Sequence, residues 1–187
     1  MLLDSSNPDV YAQLVRVLRA GEVAIMACDT IYGLVGIVPQ SEHKIRTIKG
    51  RAQEKPFLQL IASDWVATYS DTAIPDGLRD LWPGPLTLIL PTPDGRKTAF
   101  RVPADPLLSR ILAAIGKPLF STSVNRSGQQ SLWRIKDIVS LFESQTALII
   151  DSGDLEGRLP STIVDLSSRP FRLVRQGALE ISEGLLT

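Results

Sequence analysis

Apolar positions in the first part of the chain recur with two different periods. Val10, Leu14, Val17 and Leu18 fall three and four residues apart, the spacing of one helical face turned to a core. Asn7-Pro8 ahead of them reads as a capped helix start, and Gly21 behind them as a stop. The next apolar run, over 23–27, is too short for a helix and predicts a buried strand. Residues 29–33 lead out of it, and 34–38 predict a second strand. A helix is predicted over 42–48, which places Lys49-Gly50-Arg51 at its carboxyl end.

Further along, 57–61 reads as a strand and 65–81 as helix in pieces, broken around Pro75. Residues 86–90 and 98–102 predict two strands joined through Asp94-Gly95, a turn signal that favours an antiparallel pair. A helix follows over 106–115, closed by Gly116, then a strand over 118–123 that runs into a polar loop. The remaining elements are a helix over 135–142 and strands over 147–150, 161–166 and 171–174, the last ending before Arg175. Residues 151–160 have loop composition, which suits a segment over a ligand or a plain surface loop. Alternating helices and strands with hairpins among them predict an α/β fold, a mixed parallel and antiparallel twisted sheet flanked by helices. No repeat or linker divides the chain, so 1–187 is expected to be a single domain.

Composition narrows the function classes. A hydrophobic fraction of 44% and a charged fraction of 21% are those of a soluble globular protein. The formal net charge is zero, which argues against a strongly basic protein that coats nucleic acid but leaves room for a local cationic cleft. Cys28 is the single cysteine, so an intrachain disulfide is impossible, in keeping with a reducing compartment. No apolar stretch approaches the ~20 residues of a membrane span, and the start at Met1 lacks the pattern of a secretion signal. A cytoplasmic location without membrane contact is expected.

Several chemistries are absent by motif. There is no Walker phosphate loop, no G-x-G-x-x-G and no G-x-S-x-G. His43 is the single histidine, so an H-E-x-x-H zinc site cannot form, and a polar helix residue is the simpler account of it. Cys28, at the end of an apolar strand, reads as a buried thiol rather than a nucleophile.

The polar residues at strand and helix ends form the candidate site. Lys49, Arg51 and Lys55 place three cations in one short segment. They suit a phosphate ligand, and equally a solvated helix end favoured by the dipole. Ser121, Ser123 and Asn125 end a strand and Ser131 lies just beyond. That is where ligands gather in open α/β sheets, and it also has the composition of an ordinary Ser/Asn turn. Arg101 sits in an otherwise apolar strand and needs either a ligand carboxylate or an internal acid as partner. Thr30 and Tyr32, and likewise Ser161 and Arg175, flank apolar strands at a rim.

Taken in order from about Gly21 to Gly177, these stretches resemble the YrdC family. The segments that carry the resemblance are Ala27-Cys28-Asp29-Thr30-Ile31-Tyr32-Gly33-Leu34, Lys49-Gly50-Arg51, Trp82-Pro83-Gly84-Pro85-Leu86-Thr87, Arg101-Val102-Pro103, Thr122-Ser123-Val124-Asn125-Arg126-Ser127-Gly128 and Ser161-Thr162-Ile163-Val164-Asp165. The resemblance implies a YrdC-like sheet around a deep basic cleft. It implies synthesis of threonylcarbamoyl-AMP and pyrophosphate from L-threonine, bicarbonate and ATP, with Mg2+ accompanying the ATP and no protein metal ligands. The product would pass to a separate transferase that modifies tRNA, so tRNA would be an indirect client. Position by position, Lys49, Arg51, Lys55, Ser123, Asn125, Ser131 and Arg175 would meet ATP, with Lys49 and Arg51 also in a catalytic role. Thr30, Arg101, Ser121 and Ser161 would hold threonine, Arg101 taking its carboxylate. The chain departs from the family pattern at Ala27-Cys28, where Pro-Thr is frequent, at Ala52, where proline is, and at Asp105, where histidine is. The alternatives are a YciO-like paralogue, or a nucleotide- or RNA-binding module without this activity.

Overall fold

The structure is a computed structural model that describes residues 1–52 and 56–187. Lys55 lies outside the described residues. The strands are β1 (Leu2–Asp4), β2 (Ala24–Cys28), β3 (Ile31–Ile37), β4 (Leu58–Leu60), β5 (Leu86–Pro91), β6 (Lys97–Arg101), β7 (Leu119–Ser123), β8 (Leu148–Asp151), β9 (Thr162–Asp165) and β10 (Arg172–Arg175). The helices are α1 (Val10–Arg19), α2 (Glu42–Lys49), α3 (Val66–Tyr69), α4 (Asp76–Arg79), α5 (Pro106–Ile115) and α6 (Ile135–Phe142). The strands form one sheet in the order β1-β8-β2-β3-β7-β4-β6-β5-β9-β10. Parallel neighbours (β1 and β2 with β8, β4 with β6, β5 with β9) mix with antiparallel ones, as expected.

Strand alternation decides what each sheet face carries. In β2, Ala24, Met26 and Cys28 join a core cluster with Val10, Leu14, Val17 and Leu18 of α1 and Leu108, Ile111 and Leu112 of α5. Ile25 points the other way, to Ile45 and Ile48 of α2 and Ile138 and Phe142 of α6. In β5, Leu86, Leu88 and Leu90 pack with Phe100, Val164, Ile74 and Leu78. The intervening residues of β5, β6 and β9 (Thr87, Ile89, Ala99, Arg101 and Ile163) face a cleft instead. The cleft is therefore a stretch of sheet face left without a covering helix.

Several local details differ from the sequence reading. β1 was not anticipated; its three residues are too few to show a period, and β8 supplies its partner from far along the chain. The helix expected from Asn7 begins at Val10. The Asn7 side chain instead accepts a hydrogen bond from the Asp9 N–H at 2.8 Å, one turn before the helix proper. β3 starts at Ile31 rather than 34, because the reversal after β2 is completed by Asp29 and Thr30 alone. Arg175 belongs to β10 rather than following it. Asp105 accepts a hydrogen bond from the Leu108 N–H at 2.9 Å and caps α5, with Pro106 in the first turn, a pattern that fixes a helix start. Its charge is thus used at the helix end. The Asp94-Gly95 turn joins β5 to β6 as expected, with Gly95 at a φ of 76°.

Candidate active site

The cleft holds about 380 Å3 of space and opens beside a second hollow of about 170 Å3. The two share Ile31, Ser123, Pro160 and Arg175 in their walls. Of the residues singled out from sequence, Thr30, Arg51, Arg101, Ser121, Ser123, Ser161 and Arg175 all line the larger cleft. Ser131 lines the smaller one, with Ser123 and Arg175. Positions up to 145 residues apart in the chain thus converge on one site.

Arg101 is the centre of its floor. It is 3% exposed. One terminal nitrogen donates to the Thr30 hydroxyl at 3.3 Å and the other to the Cys28 carbonyl at 3.2 Å. Its Nε–H has no partner. Among the described residues no carboxylate forms an ion pair with Arg101, so the internal-acid alternative finds no partner among them. Burying an unpaired cation costs several kcal/mol, and a donor left over in such a place points to an acceptor that arrives with a ligand. Ser131 Oγ in the neighbouring hollow is likewise buried without a partner.

Around Arg101 stand hydroxyls. Ser161, 4% exposed, lies 2.8 Å from the Thr87 hydroxyl. Thr87 was not among the sequence-derived site residues, although a lone hydroxyl inside the apolar run 86–90 was a usable signal. Arg175 donates to the Ser161 carbonyl at 2.7 and 3.1 Å and to its hydroxyl at 3.3 Å. Burial, and then the like charge of Arg101, lower the Arg175 pKa. Gly177 lets this corner close: a Cβ there would come within 2.6 Å of the Ser161 carbonyl oxygen, so the chain after β10 can pass only as glycine.

Arg51 enters from the opposite wall. It donates to the Pro56 carbonyl at 2.8 Å and stacks 5.0 Å from the centre of the Phe57 ring. Arg46 stacks on the same ring at 4.7 Å. Burial and then Arg46 lower the Arg51 pKa.

Lys49 and Asn125 occupy a different place. Lys49 is 1% exposed, and its ammonium donates to the Ser123 carbonyl at 2.6 Å, the Asn125 carbonyl at 3.0 Å and Asn125 Oδ1 at 2.8 Å. Asn125 Oδ1 also accepts from the Ser123 hydroxyl at 2.6 Å, while its amide donates to the Arg126 and Gln129 carbonyls. Both residues stand behind the cleft wall and hold the Ser123–Asn125 loop in shape. Gly50, at a φ of 58°, ends α2 so that Lys49 turns inward and Arg51 outward.

The segment after β8 is fastened rather than free. The Tyr32 hydroxyl donates to the Gly153 carbonyl at 2.7 Å and accepts from the Ser152 N–H at 2.8 Å. Asp154 accepts from the Ile135 N–H at 2.9 Å. Cys28 lies on the cleft floor at 2% exposure, and burial pushes its thiol up to about 12.

Comparison with known proteins matches this arrangement to a family. The family model Sua5_yciO_yrdC, described as "Telomere recombination", matches residues 16–177. The chain belongs to the Sua5/YciO/YrdC family. The bovine (Bos taurus) protein named threonylcarbamoyl-AMP synthase is 34% identical over 90% of this chain and 68% of its own length. The structure of P. abyssi Sua5 complexed with L-threonine superposes with a TM-score of 0.83 at 26% identity, over 96% of this chain and 57% of that one. E. coli YciO superposes at 0.82 and 25% identity, over 96% of this chain and 95% of that one. This member of the family thus spans little more than half of the Sua5 chain and nearly all of YciO.

Proposed function

We propose that this chain is a threonylcarbamoyl-AMP synthase, joining L-threonine, bicarbonate and ATP for the threonylcarbamoyladenosine modification of tRNA. The observation that carries the reading is Arg101: a buried guanidinium with a spare donor on the floor of a cleft walled by hydroxyls. Such a group suits the carboxylate of an amino acid. The threonine of P. abyssi Sua5 supports the same ligand here.

The chemistry asks for no protein nucleophile. The threonine amine takes up the carbon of bicarbonate, with loss of water, to give a carbamate. A carbamate oxygen then attacks the α-phosphorus of ATP, the bond to the β-phosphate oxygen breaks, and pyrophosphate leaves. Arg101, Thr30, Ser121 and Ser161 hold threonine in this scheme. Arg51, Arg175, Ser123 and Ser131 meet the nucleotide, together with Lys55, and catalysis comes from positioning and from cations facing developing charge. Lys49 and Asn125 act through the loop that they clamp. The cleft has no carboxylate among its described lining residues, and the described residues contain no cluster of His, Cys, Asp or Glu suited to a metal. Magnesium would accompany the phosphates of ATP and water, and no step is routed through a protein-held ion. No described helix is long and apolar enough to cross a membrane. The proposed reaction would run in the cytoplasm, with a separate transferase receiving the product.

The match over nearly all of E. coli YciO favours a second reading, a YciO-like protein that keeps the cleft without this reaction. One experiment separates the two. The purified protein is given ATP, magnesium, bicarbonate and threonine, each omitted in turn, and pyrophosphate is followed. Release that requires both threonine and bicarbonate, and that no other amino acid supports, is expected. Nucleotide binding without such release would overturn the synthase reading.

A further inference from the structure

Asp29 fills the turn between β2 and β3 at a φ of 58° and is the one non-glycine residue with positive φ among the described residues. Aspartate tolerates this region better than most residues, but holding it there still has a cost. Its carboxylate accepts two backbone hydrogen bonds, from the Ala104 N–H at 3.0 Å and the Asp105 N–H at 2.7 Å. Those two residues lie in the connection from β6 to α5, three and four positions beyond Arg101.

The neighbours of Asp29 hold the end of β6 itself, through the Arg101 side chain. The Cys28 carbonyl and the Thr30 hydroxyl accept from the two terminal nitrogens of Arg101. One turn thus grips this stretch twice, by the backbone of the β6–α5 connection through Asp29 and by the Arg101 guanidinium at the end of β6 through Cys28 and Thr30. With both terminal nitrogens engaged, the rotation of the guanidinium is fixed, and with it the direction of the free Nε–H.

We infer that Asp29 is a positioning residue for the amino-acid substrate. It does not line the cleft. It ties the β2–β3 turn to the start of α5, so that two acceptors stay where they orient the Arg101 fork. Two oxygens on two backbone donors make this a charge-assisted tie, and displacements of about an ångström at such a site weaken a ligand strongly. The inference rests on the proposed threonine site.

The test compares wild type with Asp29→Gly and Asp29→Asn. Glycine keeps the positive φ and removes the carboxylate; asparagine keeps the φ tolerance and one acceptor oxygen. Threonine and ATP are titrated separately by calorimetry, with thermal unfolding recorded for each protein. Asp29→Gly is expected to weaken threonine by about tenfold or more, Asp29→Asn by less, and ATP affinity is expected to stay within about twofold. A merely structural role would lower the unfolding temperature without this split. Threonine affinity unchanged in a folded variant, or threonine and ATP weakened alike, would overturn the inference. If Asp29→Gly does not fold, Asp29→Asn decides by the same criterion. Wild type that binds no threonine would instead retire the threonine site itself and this inference with it.

Discussion

Lys49 and Arg101 are almost equally buried, at 1% and 3% exposure, but their surroundings differ in kind. The ammonium of Lys49 has three donors and three acceptors around it, at 2.6, 2.8 and 3.0 Å. The guanidinium of Arg101 has two acceptors, and its Nε–H has none. Burial alone does not mark a ligand-binding cation. A fully satisfied cation is part of the frame; a partly satisfied one, in the lining of a cleft, is kept for something that binds.

Removing Arg101 should therefore have the largest effect on turnover. Arg101→Ala is expected to lower kcat/KM for threonine by about a hundredfold or more, from the loss of a buried charge-assisted contact. Arg101→Lys should recover little, because a single ammonium cannot reproduce the planar fork. Steady-state rates with threonine varied at saturating ATP check this, and a drop confined to the KM for ATP would reverse the contrast with Lys49.

Lys49→Met should show the opposite balance. It leaves the Ser123 and Asn125 carbonyls and Asn125 Oδ1 without their donor, for a loss of about 2–3 kcal/mol of stability, or about 5–10 °C in Tm for a chain of this size. Its titration gives a finer test. Burial, and then Arg51, pull Lys49 down to about 8, whereas an unfolded lysine titrates near about 10.4. Between those values the unfolded chain holds the extra proton, so the stability owed to Lys49 rises with pH across that window and is flat below it. Wild type minus Lys49→Met, in denaturant melts over pH 7–10.5, should have that positive slope. A flat difference would mean that the ammonium is not desolvated.

The contrast also explains what was legible in the sequence. The arginine in an apolar strand announced itself because residues 99–102 are otherwise apolar except for Arg101. The clustering of Thr30, Ser121, Ser161 and Arg175 was legible only through the family resemblance, since their meeting depends on a strand order that brings β7, β4, β6, β5 and β9 side by side. Which way Lys49 turns was not legible at all. A two-residue step across Gly50 sends Lys49 inward and Arg51 to the cleft, and composition treats the two alike. Thr87 was missed for a simpler reason. In Leu86-Thr87-Leu88-Ile89-Leu90 the strand period puts Thr87 and Ile89 on the face opposite the leucines, and only the presence of a cleft there gives the hydroxyl a use.

Thr87 should then have an intermediate effect. Its hydroxyl touches Ser161 rather than standing free. Thr87→Val keeps the shape and removes one hydrogen bond, worth about 1 kcal/mol, so the KM for threonine should rise by about fivefold with kcat little changed. Thr87→Ser should restore it. An unchanged KM for Thr87→Val would leave Ser161 oriented by Arg175 alone.

The smallest effect is expected at Cys28, on the same floor as Arg101. Here a reactive group lines the cleft and is nevertheless silent. Burial raises its thiol to about 12, which leaves about one part in ten thousand as thiolate at pH 8. The residue is 2% exposed, and its sulfur lies 3.5 Å from the Met26 carbonyl. Iodoacetamide at pH 8 should therefore leave both mass and turnover unchanged over an hour, and Cys28→Ala should alter kcat/KM by less than about threefold, because the carbonyl that Arg101 uses belongs to the backbone. Rapid alkylation with loss of activity would show that the cleft floor opens, and that the satisfied and unsatisfied groups beneath it exchange partners in solution.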